Sequence, residues 1–405
     1  MKRTMLCLGL LGAVWLSAAD AFADGSVTIT GEIRARSEVD KKSFDDSAHT
    51  KTFSLLRTRV GVRGQVNENV HAFVQFQDSR MLGADDRSGT LTNGENVDVH
   101  QAFLHIAELW SNGPGLKAGR FELNLGNQRV FGAVGWNNVG RSWEGIQAFL
   151  RRASFGGDIF WLKRRELNNS RENRDFDIIG TALSVPRIGT DILVAYEHDG
   201  SSGMKRASIG GFLQHRVNQV EIISNGVFQT GTEYPVSTDK RDISAFLLTG
   251  EVIVHLDSPG KPNLSAGFDF ASGDDDPADN ETNTYNNLYY TGHKFRGHMD
   301  YFVASNREGL LDLLARASIA PVPGWRLGLD AHYFRSAAEY QGTTGEMTNS
   351  IGAEFDLHAS TTRIAGAKIA SGVSVFLPSE EFAGPENEPG LWGYLMITVG
   401  FGSDK

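Results

Sequence analysis

Arginines recur at alternate positions near the start of the chain: Arg34 and Arg36, then Arg57, Arg59 and Arg63. A guanidinium keeps its charge at any physiological pH and offers five donors in a rigid fork, so it holds carboxylates well. Rows of such groups along a water-filled wall select anions. If Val60 and Val62 face outward, Arg57, Arg59 and Arg63 face inward, and Arg34 and Arg36 join the same wall from the neighbouring segment. Arg120 is expected on that inner face further along, together with Glu122 and Asn124. Arg129 and Arg141 flank a long connection, 126–142, that could fold into the mouth of a pore. The competing reading is that these cations only balance lumen acids, for which Glu32, Glu122, Asp269, Asp312, Asp330, Glu354 and Asp356 are available. Several of these acids fall late in the chain and most of the arginines early, which predicts a field directed across the interior.

Other chemistries are less well supported. The run Asp274, Asp275, Asp276 and Asp279 offers dense oxygen ligands of the kind that bind Ca²⁺. Pro277 and Ala278 break the spacing of a helix–loop–helix calcium site, so a solvated loop is the alternative. Trp136, Tyr285, Tyr289 and Tyr290 could stack on sugar rings or pack long loops against each other. His100 and His105 are five apart, which puts them on opposite faces of a regular strand. No nucleophile elbow, zinc-hydrolase, phosphate-loop or dinucleotide motif is found, so no enzyme is expected. The single cysteine, Cys7, lies in the N-terminal apolar segment, leaving the rest without disulfide or thiolate chemistry.

The elements that must position these residues are strands. Val27, Ile29, Gly31, Ile33 and Ala35 alternate with Thr28, Thr30, Glu32, Arg34 and Arg36. Such alternation sends one set to each face of a sheet. An apolar set against lipid and a polar set against water is the pattern of a membrane barrel. It recurs at 101–106, 264–270, 325–333 and 351–357, giving about 18 segments near the length a tilted spanning strand requires. Long connections (near 40–51, 80–96, 126–142, 165–173, 230–240, 273–307, 338–346 and 377–389) alternate with short ones. Sorting by length places short turns at one end and long loops at the other. A lipid-exposed sheet must close on itself to satisfy its backbone, and about 18 strands leave room for a channel. The fold class read here is all-β, a transmembrane antiparallel barrel of about 18 strands. A soluble β-sandwich would alternate too, but would not sort its loops.

Lys2 and Arg3, the apolar run Leu6–Leu16 and Ala21-Phe22-Ala23 form a secretory signal in order, so residues 1–23 are expected to be removed and 24–405 to form one barrel domain. Beyond it no apolar run is long enough for a spanning helix. The net charge is −10, or −11 without Lys2, Arg3 and Asp20, which argues against a nucleic-acid partner. The expected surroundings are outer-membrane lipid and lipopolysaccharide, with both termini in the periplasm.

Three stretches carry a resemblance. They are Leu55-Leu56-Arg57-Thr58-Arg59-Val60-Gly61-Val62 with 70–80; Gly119-Arg120-Phe121-Glu122-Leu123 with 126–132, Trp136-Asn137-Asn138 and Gly140-Arg141; and Ala271-Ser272-Gly273-Asp274 with 288–294 and 297–300. Together, and in this order, they resemble the alginate-export family of outer-membrane barrels. Asn127 and Trp143-Glu144 depart from that pattern, where the family usually carries Asp and Phe-Asp. The resemblance implies a monomeric 18-stranded barrel whose arginine-rich lumen passes an anionic polysaccharide. Two other functions stand beside it: a non-specific diffusion pore, and a non-conducting structural or receptor barrel.

Overall fold

The computed structural model describes residues 25–402 apart from 46, 48, 84–91, 93–96, 168–173, 235–238, 277 and 386. The N-terminal segment read as a signal lies outside the described residues. Eighteen strands, each hydrogen-bonded to its sequence neighbour, form the wall. They are β1 (Ser26–Lys41), β2 (Lys51–Gln65), β3 (Val70–Met81), β4 (Asp98–Ile106), β5 (Gly115–Phe121) and β6 (Trp143–Arg151). They continue as β7 (Gly156–Arg165), β8 (Phe176–Val185), β9 (Thr190–Asp199), β10 (Met204–Val217), β11 (Val220–Glu233) and β12 (Arg241–His255). The last six are β13 (Asn263–Ala271), β14 (Leu310–Ile319), β15 (Trp325–Gln341), β16 (Met347–Thr361), β17 (Ala367–Pro378) and β18 (Gly390–Phe401). β18 returns to β1 in antiparallel register from Gly31 opposite Phe401 to Lys41 opposite Leu391, and the cylinder closes. Closure removes every free edge, which lipid would not tolerate. A two-residue segment, Glu281–Thr282, adds a short parallel pairing to the start of β12 and takes no part in the wall.

The outer face follows the alternation. Ile33, Leu104, Ile159, Ile179, Leu248, Leu357 and Val373 stand exposed around the cylinder, as a lipid-facing band requires. Short turns such as 66–69, 152–155, 186–189, 218–219 and 362–366 gather at the end that holds both termini. The opposite end carries connections as long as 122–142 and 272–309. Every predicted strand is present, with ends that shift by up to four residues in either direction.

The inner face differs from the expected polar lining. In the half nearer the long loops, Phe160, Leu162, Phe176, Ile178, Ala245 and Leu247 point inward, and they form one buried cluster with Phe121, Phe131, Trp143 and Tyr289. A second cluster joins Met299 and Phe302 to Phe334, Ile351, Phe376 and Trp392 of the wall. The cause is that the 122–142 and 272–309 loops turn into the barrel, so the wall beneath them packs like a protein core. Ile351 shows the same correction locally. Simple alternation puts it with the lipid-facing Phe355 and Leu357, but Gly352 at φ +152° and a register shift between β15 and β16 turn Ile351 inward. That extra residue reverses the faces above it.

Candidate functional site

The barrel interior is organised by two walls of opposite charge and the two loops held between them. Arg34 on β1 lies directly opposite Arg57 on β2. A like-charged cross-strand pair is unfavourable by itself. Here both guanidinium groups donate to the same backbone carbonyls of the β5–β6 loop: Arg34 to Gly135 at 2.7 Å and Asn137 at 2.9 Å, Arg57 to the same two oxygens at 3.0 Å. Arg36 adds a bond to the Trp136 carbonyl at 2.6 Å and its guanidinium lies 4.1 Å from the centre of that indole ring. Asn138 bonds back to the Leu56 carbonyl, and Ser79 donates to the Asn138 carbonyl. Glu32 takes Arg57 at 2.6 Å and Glu38 takes Arg36 at 2.7 Å. The arginine wall is therefore a clamp on carbonyl oxygens.

The opposite wall is its complement. Glu354 on β16 accepts the backbone N–H of Met299 at 2.8 Å, and Asp356 that of His298 at 3.4 Å. Asp269 on β13, buried to 1% exposure, pairs with Arg129 of one loop at 2.6 Å and Arg296 of the other at 3.3 Å. Carboxylates thus hold amides and cations, while arginines hold carbonyls. Gly297 makes the close approach possible: it sits at φ +76°, and a Cβ there would meet the Glu354 carboxylate at 2.5 Å.

The two loops are also fastened to each other. Phe131 and Tyr289 form an isolated β-bridge. Trp136 stacks on His293 with centroids 3.9 Å apart and planes at 9°. Arg141 reaches the carbonyls of Gly132, Tyr289 and Tyr290. Burial pushes the Tyr290 phenol up to about 12, so it stays a neutral donor to the Val303 carbonyl.

The predicted arginines therefore separate. Arg34, Arg36, Arg57 and Arg59 face inward, and Arg59 bonds Gln77 at 2.7 Å and Glu122 at 3.2 Å. Arg63 faces inward nearer the short-turn end, between Thr28 and Phe73. Arg120 is a correction. Its neighbours Lys117 and Phe121 point inward, with the Lys117 ammonium over the Phe121 ring, so Arg120 takes the other face and pairs with Glu144 at 2.9 Å at the rim. Strand β5 ends at Phe121, and Glu122 and Asn124 belong to the loop.

A second correction concerns the histidines. Gln75 opposes Gln101 while Phe76 opposes Val99, so a bulge leaves His100 as an extra residue and both His100 and His105 face inward. His105 stacks between His71 and Phe149. His100 lies between Ser142, 3.1 Å from Nδ1, and Glu122, 2.7 Å from Nε2. The order Ser–His–Glu is that of a hydrolase. However, the Ser142 hydroxyl donates to the His100 carbonyl at 2.5 Å, Arg59 shares the Glu122 carboxylate and His100 is buried. The hydroxyl proton is directed away from the imidazole, which leaves no activated nucleophile.

The acidic loop does not gather its carboxylates. Asp274 accepts the N–H of Asp276, Asp276 that of Ala278, and Asp279 that of Glu281. Each acid closes its own turn. Burial pushes the Asp274 carboxyl above its ordinary value. Tyr285, Tyr289 and Tyr290 are buried, and Tyr289 also lines the cavity at the long-loop end.

Two cavities flank the inserted loops. One of about 450 Å³ lies at the long-loop end, lined by Arg120, Arg141, Lys163, Arg164, Arg206 and Glu144 among others. The other, of about 540 Å³, opens toward the short turns and is lined by Arg129, Lys294, Arg316, Arg326, Glu251, Asp330 and several histidines.

A family model described as alginate export matches residues 26–383. The chain belongs to the alginate export family. No curated relative matches it in sequence. Solved structures share the fold. OccAB1 of Acinetobacter baumannii has a TM-score of 0.63 at 10% identity, covering 93% of this chain and 96% of that one. OccK9 (OpdG) of Pseudomonas aeruginosa has 0.62 at 10%, covering 94% and 99%. OccK11 (OpdR) of the same organism has 0.60 at 11%, covering 94% and 96%. This alginate export family member is an outer-membrane, porin-like barrel of 18 antiparallel strands; its family is one of transport channels and not of enzymes. The sequence reading of fold, family and class stands.

Proposed function

We propose that this barrel passes anionic solutes across the outer membrane by passive diffusion, and that an acidic, alginate-like polysaccharide or its sugar-acid units form the substrate class. The carrying observation is the charge of the two cavities. At the long-loop end Arg120, Lys163 and Arg206 pair with Glu144, Asp175 and Glu197, and among the described residues Arg141 and Arg164 are left without a carboxylate partner. Below the loops Arg129 pairs with Asp269 and Arg316 with Glu251, and among the described residues Lys294 and Arg326 are left without a carboxylate partner. Low-dielectric walls focus such a field and raise the local anion concentration. The family membership points to the same cargo.

In this reading a solute meets Arg141 and Arg164 first and passes beside Arg129. Arg34, Arg36, Arg57 and Arg59 shape the path by fixing the loop, and Arg63 continues the same wall toward the short turns. The protein works as a monomer, with the short turns and both termini in the periplasm and the long loops outside. Residues 1–23 direct it there. No cofactor is required, and Ca²⁺ at Asp274–Asp279 is not part of the mechanism.

Planar-bilayer recording tests the proposal. A reversal potential of the sign set by anion permeation under a KCl gradient, with current block by uronate oligomers, is expected. Cation preference or indifference to uronates overturns it. The second reading, a non-specific diffusion pore, draws on the neutralisation of Arg36, Arg57 and Arg59 by Glu38, Glu32 and Glu122. It requires conductance without ion preference. A barrel that never conducts would instead be a structural or receptor element.

A further inference from the structure

The lower cavity holds a group of side chains whose donor atoms converge on one point. His298, from the inserted β13–β14 loop, meets Asp330 of β15 and His358 of β16, and one ligand atom from each lies within 4.8 Å of the others. His298 Nε2 is 3.8 Å from one Asp330 oxygen, and His358 Nε2 is 3.8 Å from the other. Metal–ligand bonds of about 2.0–2.2 Å in a tetrahedron place ligand atoms roughly 3.3–3.6 Å apart. The two distances run to different Asp330 oxygens, and a set of ligand atoms spread over as much as 4.8 Å must draw in by up to roughly 1–1.5 Å to reach that spacing, which side-chain rotation can supply.

We propose that His298, Asp330 and His358 bind a divalent transition cation of the zinc type, which ties the inserted loop to the barrel wall. Two imidazoles and one carboxylate suit zinc, copper or nickel, and are poorly matched to magnesium or calcium, which prefer oxygen shells. Three protein ligands leave a fourth position open to the cavity, where water or a solute carboxylate completes the shell. Each ligand comes from a different segment, so binding joins elements that are otherwise linked there by backbone contacts to Glu354 and Asp356.

Placement of the ligands is constrained. Gly328 lies opposite His358, and a Cβ at Gly328 would meet the imidazole at 2.2 Å, so the glycine lets the ring lie flat across the strand. Arg316 Nε stands 3.7 Å from Asp330 but the guanidinium bonds Glu251 instead, at 3.2 Å. His298 Nδ1 is buried without a hydrogen-bond partner. A ligating histidine normally has such a partner, and its lack weakens affinity by roughly 10–100-fold. The site is thus expected to be of moderate affinity, suited to regulation and not to permanent structure.

The test is calorimetric titration of Zn²⁺ into the tag-free, metal-stripped full barrel in detergent, with Mg²⁺ as control. One zinc per chain is expected, and Mg²⁺ gives no comparable heat. His298→Ala, His358→Gln and Asp330→Asn should each weaken zinc binding at least tenfold while the barrel keeps its heat-dependent gel mobility. His358→Gln and Asp330→Asn preserve side-chain volume, so they report ligation even if His298→Ala disturbs the loop. Absence of zinc binding, or equal binding by wild type and the folded His358→Gln and Asp330→Asn variants, overturns the proposal.

Discussion

At the scale of single residues, the interior arginines act mainly on backbone. Arg34 and Arg57 face each other yet share two carbonyl acceptors, which resolves their repulsion through the loop between them. Hydrogen bonds to a charged group contribute about 1.5–3 kcal/mol each. Replacing both residues with Met should release Gly135 and Asn137, lower the denaturant midpoint of the folded barrel, and raise the single-channel conductance with added current noise. Unchanged conductance in bilayers would show that the clamp does not hold the loop. Asp274 gives a second residue-level expectation. Its carboxyl titrates above the ordinary value because it is buried, so the native state holds its proton more tightly than the unfolded chain. Stability is therefore lost as pH rises from the unfolded value through the raised one. Asp274→Asn should stabilise the barrel at pH 7 and much less at pH 3, as read by guanidinium unfolding. A calcium site there would reverse the outcome, with wild type gaining stability in Ca²⁺ and the variant not.

At the scale of elements, the strands were legible because lipid outside and water or protein inside impose a period of two on every segment, from Val27–Arg36 to Trp325–Tyr333. The loops were legible only in part. The arginines flanking 126–142 pointed to a loop folding into the mouth, but nothing in the order of residues 272–309 says that this loop turns inward as well. Many of their anchors are backbone atoms, which carry no residue identity, and those partners lie more than fifty positions away, as Arg34 does from Gly135 and Glu354 from Met299. Local departures were hidden for a related reason. The bulge at His100 and the left-handed Gly352 each move one residue, yet they reverse which face the neighbours take. Arg120 was misassigned because strand β5 is short and ends at Phe121, so alternation through Asn124 does not apply. The inward loops carry their own prediction. Replacing residues 288–300 with a short Gly-Ser linker removes Lys294 and Arg296 and uncovers Asp269, Glu354 and Asp356. The conductance should rise severalfold and the ion preference shift toward cations, measured by reversal potential. A larger conductance that keeps the original preference would mean that the loop narrows the path without setting its charge.

At the scale of the whole molecule, an acidic chain of net charge −10 builds an interior with basic cavities by sorting its charges. Acids on β13 to β16 and arginines on β1 and β2 are largely consumed in holding the loops, and what remains toward solvent is the excess of cations in the two cavities. The two populations respond differently to salt. Buried pairs such as Arg206 with Glu197, at 2.7 Å, are screened little. The solvated cations act through water, with a screening length of about 10 Å at 0.1 M salt and about 3 Å at 1 M. If the anion preference arises from these diffuse cavity fields, it should be strong at 0.1 M KCl and nearly vanish at 1 M, while the loops stay docked and the conductance follows bulk conductivity. Reversal potentials at equal concentration ratios but different mean salt supply the measurement. A preference that persists at 1 M would locate selectivity in a desolvated contact between the loops, at Arg129 or Arg141, and not in the field of the cavities.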